Sequence, residues 1–499
     1  MNKSSLGGDA VKLTLSKVLT LCISTATSMM LARFRTLEEY GTYSSLLLVI
    51  NLFISLLMLG LPNSINYFLA RAESDSEKRR FLSVYYTAGT VLSFLIGVLL
   101  VLCVPLIQLY FENNAIGKFW YFLALYPWAS IISNSIENIL VVYQRVRLLM
   151  VCKLVSSAAM LLSVLLVQLF GYGFKAYMII FMIVNAVYAL SAYLLTQHLC
   201  GRLRPIIDMQ LIKTILTFSL PIGLATMVGT LSIEIDKLLI GLLMDTKQLA
   251  IYTNAAKELP LTIVSASITA VLLPRAAVLI KKDRVGDAVK LWKVSTELSF
   301  IIIALFTAGV VTYAKDVLTL LYSEKYLPGV NVFRIYTVIL LLRCAYFGLI
   351  LNAIGQTKKI LLCSVYNLVL NALLNPLLYM LLGIIGPAVA TLLSIFILSL
   401  LMLRYTADAS KTSFSNVFPW KSVGIILLIN AAFSAAFYFI KQLLPLQRFM
   451  GELAESLLLG AVWAALYLLI MKKRIVSDWH ELNSFDAQDE TVPQSENAP

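Results

Sequence analysis

The chain has 499 residues, of which 60% are hydrophobic and only 13% charged, and its mean hydropathy is +0.85. Soluble domains carry about 25% charged residues, so this composition excludes a soluble globular protein and demands an integral membrane protein. The net charge of +13 does not point to nucleic acid, because the basic residues are dispersed over membrane-flanking loops instead of forming one face.

Apolar windows of about 20 residues, the length needed to cross a bilayer as a helix, occur near 11–34, 41–69, 81–109, 118–143, 148–170 and 174–197. A second set lies near 211–243, 249–280, 288–313, 329–354, 360–382 and 383–403, and two more near 417–443 and 452–471 bring the predicted count to fourteen. The first apolar segment is too long for a cleavable signal, carries Lys17 and matches the start of the second set, so it is expected to stay in the protein. The first six spans recur in the second six at a single offset of 212 residues, which aligns Tyr110 with Tyr322, Glu112 with Glu324, Gly117 with Gly329, Gly171 with Gly383 and Pro62 with Pro274. An even number of spans per copy lets a pseudo-two-fold along the membrane normal relate the copies, the organisation of a transporter. The expected divisions are an N-terminal six-helix lobe at 1–200, a C-terminal six-helix lobe at 201–408, two additional helices at 409–474 and a disordered acidic tail at 475–499.

Lys and Arg collect on alternate loops, 24 on the side of both termini against nine on the other. That bias predicts cytoplasmic termini. The six cysteines fall inside spans or on a cytoplasmic loop, so no disulfide framework is implied.

A charge at the bilayer centre costs about 3 kcal/mol on insertion scales, yet Glu137 lies deep in the first copy, and Glu234, Asp236, Lys237, Lys257, Glu258 and Arg343 lie deep in the second. On predicted helix 1, Ser16, Thr20, Ser24 and Thr27 follow each other at helical spacing, and on helix 7 the same spacing joins Ser219, Gly223, Thr226, Thr230, Glu234 and Lys237. These polar stripes point to water-facing helices, with packing through small residues as the competing explanation. Cations among Ser and Thr suggest an anionic substrate group such as a phosphate or pyrophosphate, with Lys17, Lys237, Lys257 and Arg343 as candidates and Glu137, Glu234, Glu258, Ser24, Thr226 and Thr230 as polar or coupling groups. Each cation could instead pair with a carboxylate nearby. There is no phosphate-loop motif, no metal cluster and no nucleophile elbow. The chain therefore reads as a transporter without enzymatic activity or a bound cofactor, driven by an ion gradient, the membrane potential or the substrate gradient. His198 and His480, the only histidines, lie on the cytoplasmic side and do not form a proton relay.

Residues 31–69, LARFRTLEEYGTYSSLLLVINLFISLLMLGLPNSINYFL, together with FSLPIGLA at 218–225, LYSEKYLPG at 321–329 and GQTKK at 355–359, resemble the polysaccharide-export branch of the multidrug/oligosaccharidyl-lipid/polysaccharide (MOP) exporter superfamily. The resemblance implies an all-α membrane fold of about 14 helices and a bacterial cytoplasmic-membrane flippase. Its substrate would be undecaprenyl-pyrophosphate-linked oligosaccharide repeat units, with a glycan polymerase and other assembly proteins as partners besides membrane lipids. Lipid II flippases of the superfamily hold a sodium ion, and the matching positions here are Asp236, Asn371, Asn375 and Thr391, which implies sodium coupling, with a proton as the alternative ion. Asn375 stands where an acid would strengthen such a site. The residues alone leave Asn371 and Asn375 open to a second role as hydrogen-bonding glue between helices. An ion-coupled multidrug exporter of the same fold and a non-transporting scaffold of glycan assembly are the rival functions.

Overall fold

The computed structural model describes residues 6–58, 60–257, 259–444 and 451–490, and among them it is all-helical, with no strand. Two compact units divide at Asn254 and Ala255. The first contains α1 (Leu6–Phe34), α2 (Leu37–Leu57), α3 (Leu61–Arg71), α4 (Asp75–Leu102), α5 (Val104–Tyr110), α6 (Trp120–Val142), α7 (Val146–Leu169), α8 (Phe174–Cys200), α9 (Met209–Leu243) and nearly all of α10 (Thr246–Ala255). The second contains α11 (Thr262–Lys281), α12 (Val285–Thr312), α13 (Ala314–Leu321), α14 (Val330–Leu342), α15 (Leu349–Ile354), α16 (Thr357–Leu382), α17 (Gly386–Ser410), α18 (Phe414–Val417), α19 (Trp420–Leu443) and α20 (Glu452–Glu490).

The duplication read from the sequence reappears element by element. A 3-10 turn at Asn114–Phe119 leads into α6, and another at Glu324–Gly329 leads into α14. Gly171 and Gly383, paired by the offset, both take left-handed φ, 68° and 59°. Short helices, α5 and α13, occupy the same place in each copy. The copies part where helices break. Predicted helix 2 is α2 and α3 joined at Gly60, predicted helix 8 is α10 and α11 joined through 256–261, and predicted helix 10 is α14 and α15 joined through 343–348, whereas its partner α6 is continuous. Pro62 starts α3, but Pro274 lies within α11.

Eleven stretches among the described residues are long and apolar enough to cross a membrane, and one of them, Thr357–Ser410, joins α16 to α17. Counted as helices, that accounts for twelve of the fourteen predicted spans. The other two, α1 and α6, are helical but fall outside the eleven; in α6 the polar Asn134, Glu137 and Asn138 dilute the apolar character. At the C-terminus, α20 continues to Glu490, beyond Arg474, where a disordered tail was expected. Arg474 binds Glu297, and Lys290 binds Glu481 at 2.8 Å, so the helix is tied to α12 as far as Glu481. The expected tail beyond 490 lies outside the described residues.

Capping fixes several entries. Thr36 and Glu39 form a reciprocal capping box at α2, and Ser74 accepts the Glu77 N–H at α4. Asp208 caps α9 through the Leu211 N–H and also receives Arg80, and these contacts hold its carboxyl below the usual carboxylate range. Between Cys200 and α9 the chain is extended, and α4 side chains take up its backbone: Arg79 donates to the Cys200 carbonyl, Ser83 accepts from Arg204 N–H and Thr87 accepts from Ile206 N–H.

In the first unit α1 packs on α7, α6 on α4 and α8, and α9 on α2 and α3. Two glycines permit the α2 and α3 contacts. A Cβ on Gly41 would sit 2.0 Å from the Thr246 carbonyl oxygen, and Gly60, at φ 74°, lies directly against the α9 backbone at Ser219 and Gly223. In the second unit α12 is the central post, touching α11, α14, α19 and α20, while α16 and α17 form a close pair. Gly41→Val should therefore lower the thermal stability of the purified protein by about 1–3 kcal/mol through overpacking, whereas Gly229→Ala, where the added Cβ meets nothing within 4 Å, should leave the melting temperature unchanged.

Candidate functional site

The expected cations do not form one set of bare charges. In the first unit Lys17 of α1 and Lys153 of α7 converge on Glu137 of α6, Lys17 at 3.3 Å. This gathers a net positive cluster from three helices, with Lys153 the closer lysine. At the next residue, Asn138 donates to the Pro62 carbonyl at 3.0 Å and accepts from Asn66 at 3.2 Å, so α6 also fastens the start of α3. Those asparagines were not foreseen; Asn134, Glu137 and Asn138 on one apolar helix were the available signal.

The polar stripe of predicted helix 7 divides in the structure. Ser219 and Gly223 are buried against Gly60 and serve packing. Thr226 and Thr230 return their hydroxyls to the Ile222 and Thr226 carbonyls of their own helix at 2.9 and 3.1 Å, with Thr226 exposed. Such back-bonding hides the hydroxyl donor and leaves the oxygen as an acceptor. Ser24 on α1 is also exposed. Lys237 is held by Glu234 one turn earlier at 2.8 Å, with both side chains largely buried. Asp236, 1% exposed, accepts the Tyr252 hydroxyl at 2.9 Å and the Lys237 backbone N–H at 2.7 Å. A fully buried carboxylate is tolerable with such donors in place.

In the second unit Lys257 and Arg343 share a feature that the sequence did not disclose: each stands in a helix break. Lys257 lies between α10 and α11, and Arg343 closes α14. Leu259 and Leu261, just after Lys257, pack on the same apolar core as Cys344 and Ala345, just after Arg343. The two breaks are therefore neighbours within the unit. An interrupted membrane helix leaves carbonyls without intrahelical donors, and here Ser299 of α12 donates to the Cys344 carbonyl at 2.6 Å. Glu258 lies outside the described residues.

Asn371 and Asn375 of α16 are both 1% exposed. Asn375 donates to the Asn371 side-chain oxygen at 2.6 Å, and Asn371 reaches the Thr391 hydroxyl of α17 at 3.4 Å. The side-chain oxygens of Asn375 and of Asn367 remain buried with no hydrogen-bond donor. Asp236 belongs to the first unit and these amides to the second. Elsewhere in the second unit lie two clusters unannounced by local sequence. Arg474 binds Glu297 and Ser422, and Lys441 binds Asp316 at 2.5 Å and Ser456 at 2.8 Å. Their members are 125 or more residues apart, except within the C-terminal helix pair.

A family model described as polysaccharide biosynthesis protein matches residues 30–331. No curated protein sequence matches the chain. Among solved structures, the lipid II flippase MurJ in an inward closed conformation superposes with a TM-score of 0.70 at 15% identity, over 93% of this chain and 100% of that one. An inward-facing multidrug resistance MATE family transporter of the MOP superfamily gives 0.57 at 16% identity, over 79% of this chain and 99% of that one. A MOP superfamily transporter from Pyrococcus furiosus gives 0.54 at 13% identity, over 81% and 97%. At such identities these structures speak for the fold, and the family model for the branch. The chain belongs to the polysaccharide biosynthesis protein family, on the polysaccharide branch of the MOP exporter superfamily, and is a multi-pass membrane protein with that superfamily's transporter fold.

Proposed function

We propose that this protein is a flippase for undecaprenyl-pyrophosphate-linked oligosaccharide repeat units, moving them across the bacterial cytoplasmic membrane by alternating access, with both termini in the cytoplasm. The observation that carries this reading is the placement of Lys257 and Arg343 in two adjoining helix breaks. Broken helices at membrane depth are tolerated where they are covered by protein or border a water-filled cavity, and in transporters they mark binding sites. A primary ammonium and a guanidinium together suit a pyrophosphate, the first as a mobile point charge and the second as a fork. Lys17, with Lys153 and Glu137, supplies a second, partly compensated positive cluster. Lys237 is engaged by Glu234. Exposed Ser24 and Thr226 offer hydroxyl contacts to sugars.

A coupling cation fits the second unit. The donorless oxygen of Asn375, with Asn371 and Thr391 beside it, is the neutral hard-oxygen set a sodium ion accepts. Held there, sodium would supply the gradient that drives transport. Asp236, in the first unit, is bridged by Tyr252 and the Lys237 N–H.

In proteoliposomes, translocation of a lipid-pyrophosphate oligosaccharide should fall about tenfold to a hundredfold in Lys257→Ala or Arg343→Ala, the loss of a charge-assisted contact of about 1.5–3 kcal/mol, with insertion and melting temperature unchanged. Unaltered rates in both variants would remove the pyrophosphate from these residues, and protection against cationic dyes without lipid translocation would replace the flippase with a drug exporter. In the same vesicles an inward-directed sodium gradient should accelerate wild-type transport, and the acceleration should vanish in Asn375→Ala. Equal rates with sodium, potassium and no gradient would refute sodium coupling.

A further inference from the structure

About twenty residues of helix cross the roughly 30 Å of hydrocarbon in a bilayer. In α20 the residues from Glu452 to Met471 cover that length, and Lys472, Lys473 and Arg474 mark the exit on the side that the basic-residue bias makes cytoplasmic. The helix continues past this exit, and the turns that follow are held to the second unit by charge. Arg474 binds Glu297 of α12 and Ser422 of α19, and Lys290 of α12 binds Glu481 at 2.8 Å. Glu297 is 9% exposed, so protein covers this contact. Leu482 closes it by packing on the apolar core that holds Trp292 and Phe418.

Between the two ion pairs stands Asp478, four residues after Arg474 and three before Glu481, on the face of α20 that both pairs turn to α12. It is 9% exposed, its Oδ2 is buried with no hydrogen-bond donor, and among the described residues no cation pairs with it. Arg474, one turn away, is already engaged by Glu297 and Ser422. A carboxylate buried without donors is costly, and its neutral form is favoured. Burial first, then Glu297 and more weakly Glu481, push the Asp478 carboxyl up to about 6, against the pull of Arg474. The remaining charges along this contact are Lys290 and Lys293 of α12, Lys421 beside Ser422 on α19, and exposed His480 on α20 itself. α13 meets α20 only at its other end, where Asp316 accepts from Ser456.

We propose that Asp478 is a proton-binding site that fastens the cytoplasmic end of α20 to α12. With the carboxyl protonated the helix is held on the central post of the second unit, and with it ionised the turns from Arg474 to Leu482 loosen. The proton is exchanged with cytoplasmic water, and only the O–H bond of the acid forms or breaks. A carboxyl at about 6 in the docked helix, against 3.8 for a free one, binds its proton more tightly when docked. Docking therefore strengthens as pH falls through about 6, by about tenfold between pH 7.5 and pH 5. Glu297 and Glu481 work in the opposite direction, since protonating either removes the attraction to Arg474 or Lys290 and loosens the contact. The direction of the pH effect thus separates a proton site at Asp478 from a plain salt-bridge contact. Near neutrality the site is mostly ionised, so fastening is a response to acidification of the cytoplasm.

The test uses the full-length protein in lipid nanodiscs, read by amide hydrogen exchange over 474–482 and corrected for the intrinsic pH dependence of exchange. Wild-type protection there should rise about tenfold between pH 7.5 and pH 5. Asp478→Asn, neutral at every pH and close in shape to the protonated acid, should hold the helix at its acid level of protection throughout. Glu481→Gln, which takes away the partner of Lys290, should lower protection at neutral pH yet keep the rise on acidification. Wild-type protection that stays flat or falls on acidification, a result that needs no variant, would overturn the proton site and leave only salt bridges. The same rise in Asp478→Asn would place the proton on another carboxyl and overturn the assignment to Asp478.

Discussion

Hydrocarbon offers no hydrogen bonds, and most of this structure follows from that fact. A chain in a bilayer must satisfy its backbone internally, which makes it helical throughout, and any interruption must be covered by other parts of the protein. Among the described residues, several interruptions have their cover. Gly60 rests on the α9 backbone, the carbonyl of Cys344 is taken by Ser299, and the extended stretch after Cys200 is bonded by Arg79, Ser83 and Thr87 of α4. Breaks so covered become places where polar groups can stand at membrane depth, and Arg343 stands beside one of them.

The duplication supplies two similar frames, and the helix breaks make them unequal. In the first copy α6 runs unbroken and uses its polar face for structure, with Glu137 gathering two lysines and Asn138 tying down α3. In the second copy the corresponding helix is split at Arg343, and its neighbour α11 begins only after Lys257. One sequence skeleton thus yields a continuous strut in one unit and an opened joint in the other. The second unit also carries α19 and α20, whose packing on α12 leaves an apolar cleft beside Lys441 and Asp316.

Legibility in the sequence tracked the range of the interaction. Spans, their order and the repeat are set by local hydropathy and spacing, and they reappear in the helices, including twelve that satisfy length and hydropathy. The polar stripe on α9 was visible as a pattern, but its division was not. Ser219 and Gly223 turn out to be contact residues because Gly60, more than 150 positions earlier, presses on them. Likewise the sequence left Lys237 open between an anion-binding role and pairing with a nearby carboxylate, and its side chain folds back on Glu234. The helical continuation beyond Arg474 was missed because its polar composition, read alone, argues for disorder, whereas Lys290 and Glu297 of α12 supply partners that no local window contains.

The sequence by itself determined that this is a duplicated, all-helical membrane protein of the polysaccharide-export type, because the cost of placing polar residues in lipid writes each span into composition. The tertiary structure alone decided how the deep charges of α6 and α9 pair, where the helices break, and that an apolar cleft exists between α12, α13 and α20. Those outcomes depend on side chains that are distant in the chain and meet only after the helices have packed, and pairing, unlike hydropathy, leaves no local mark.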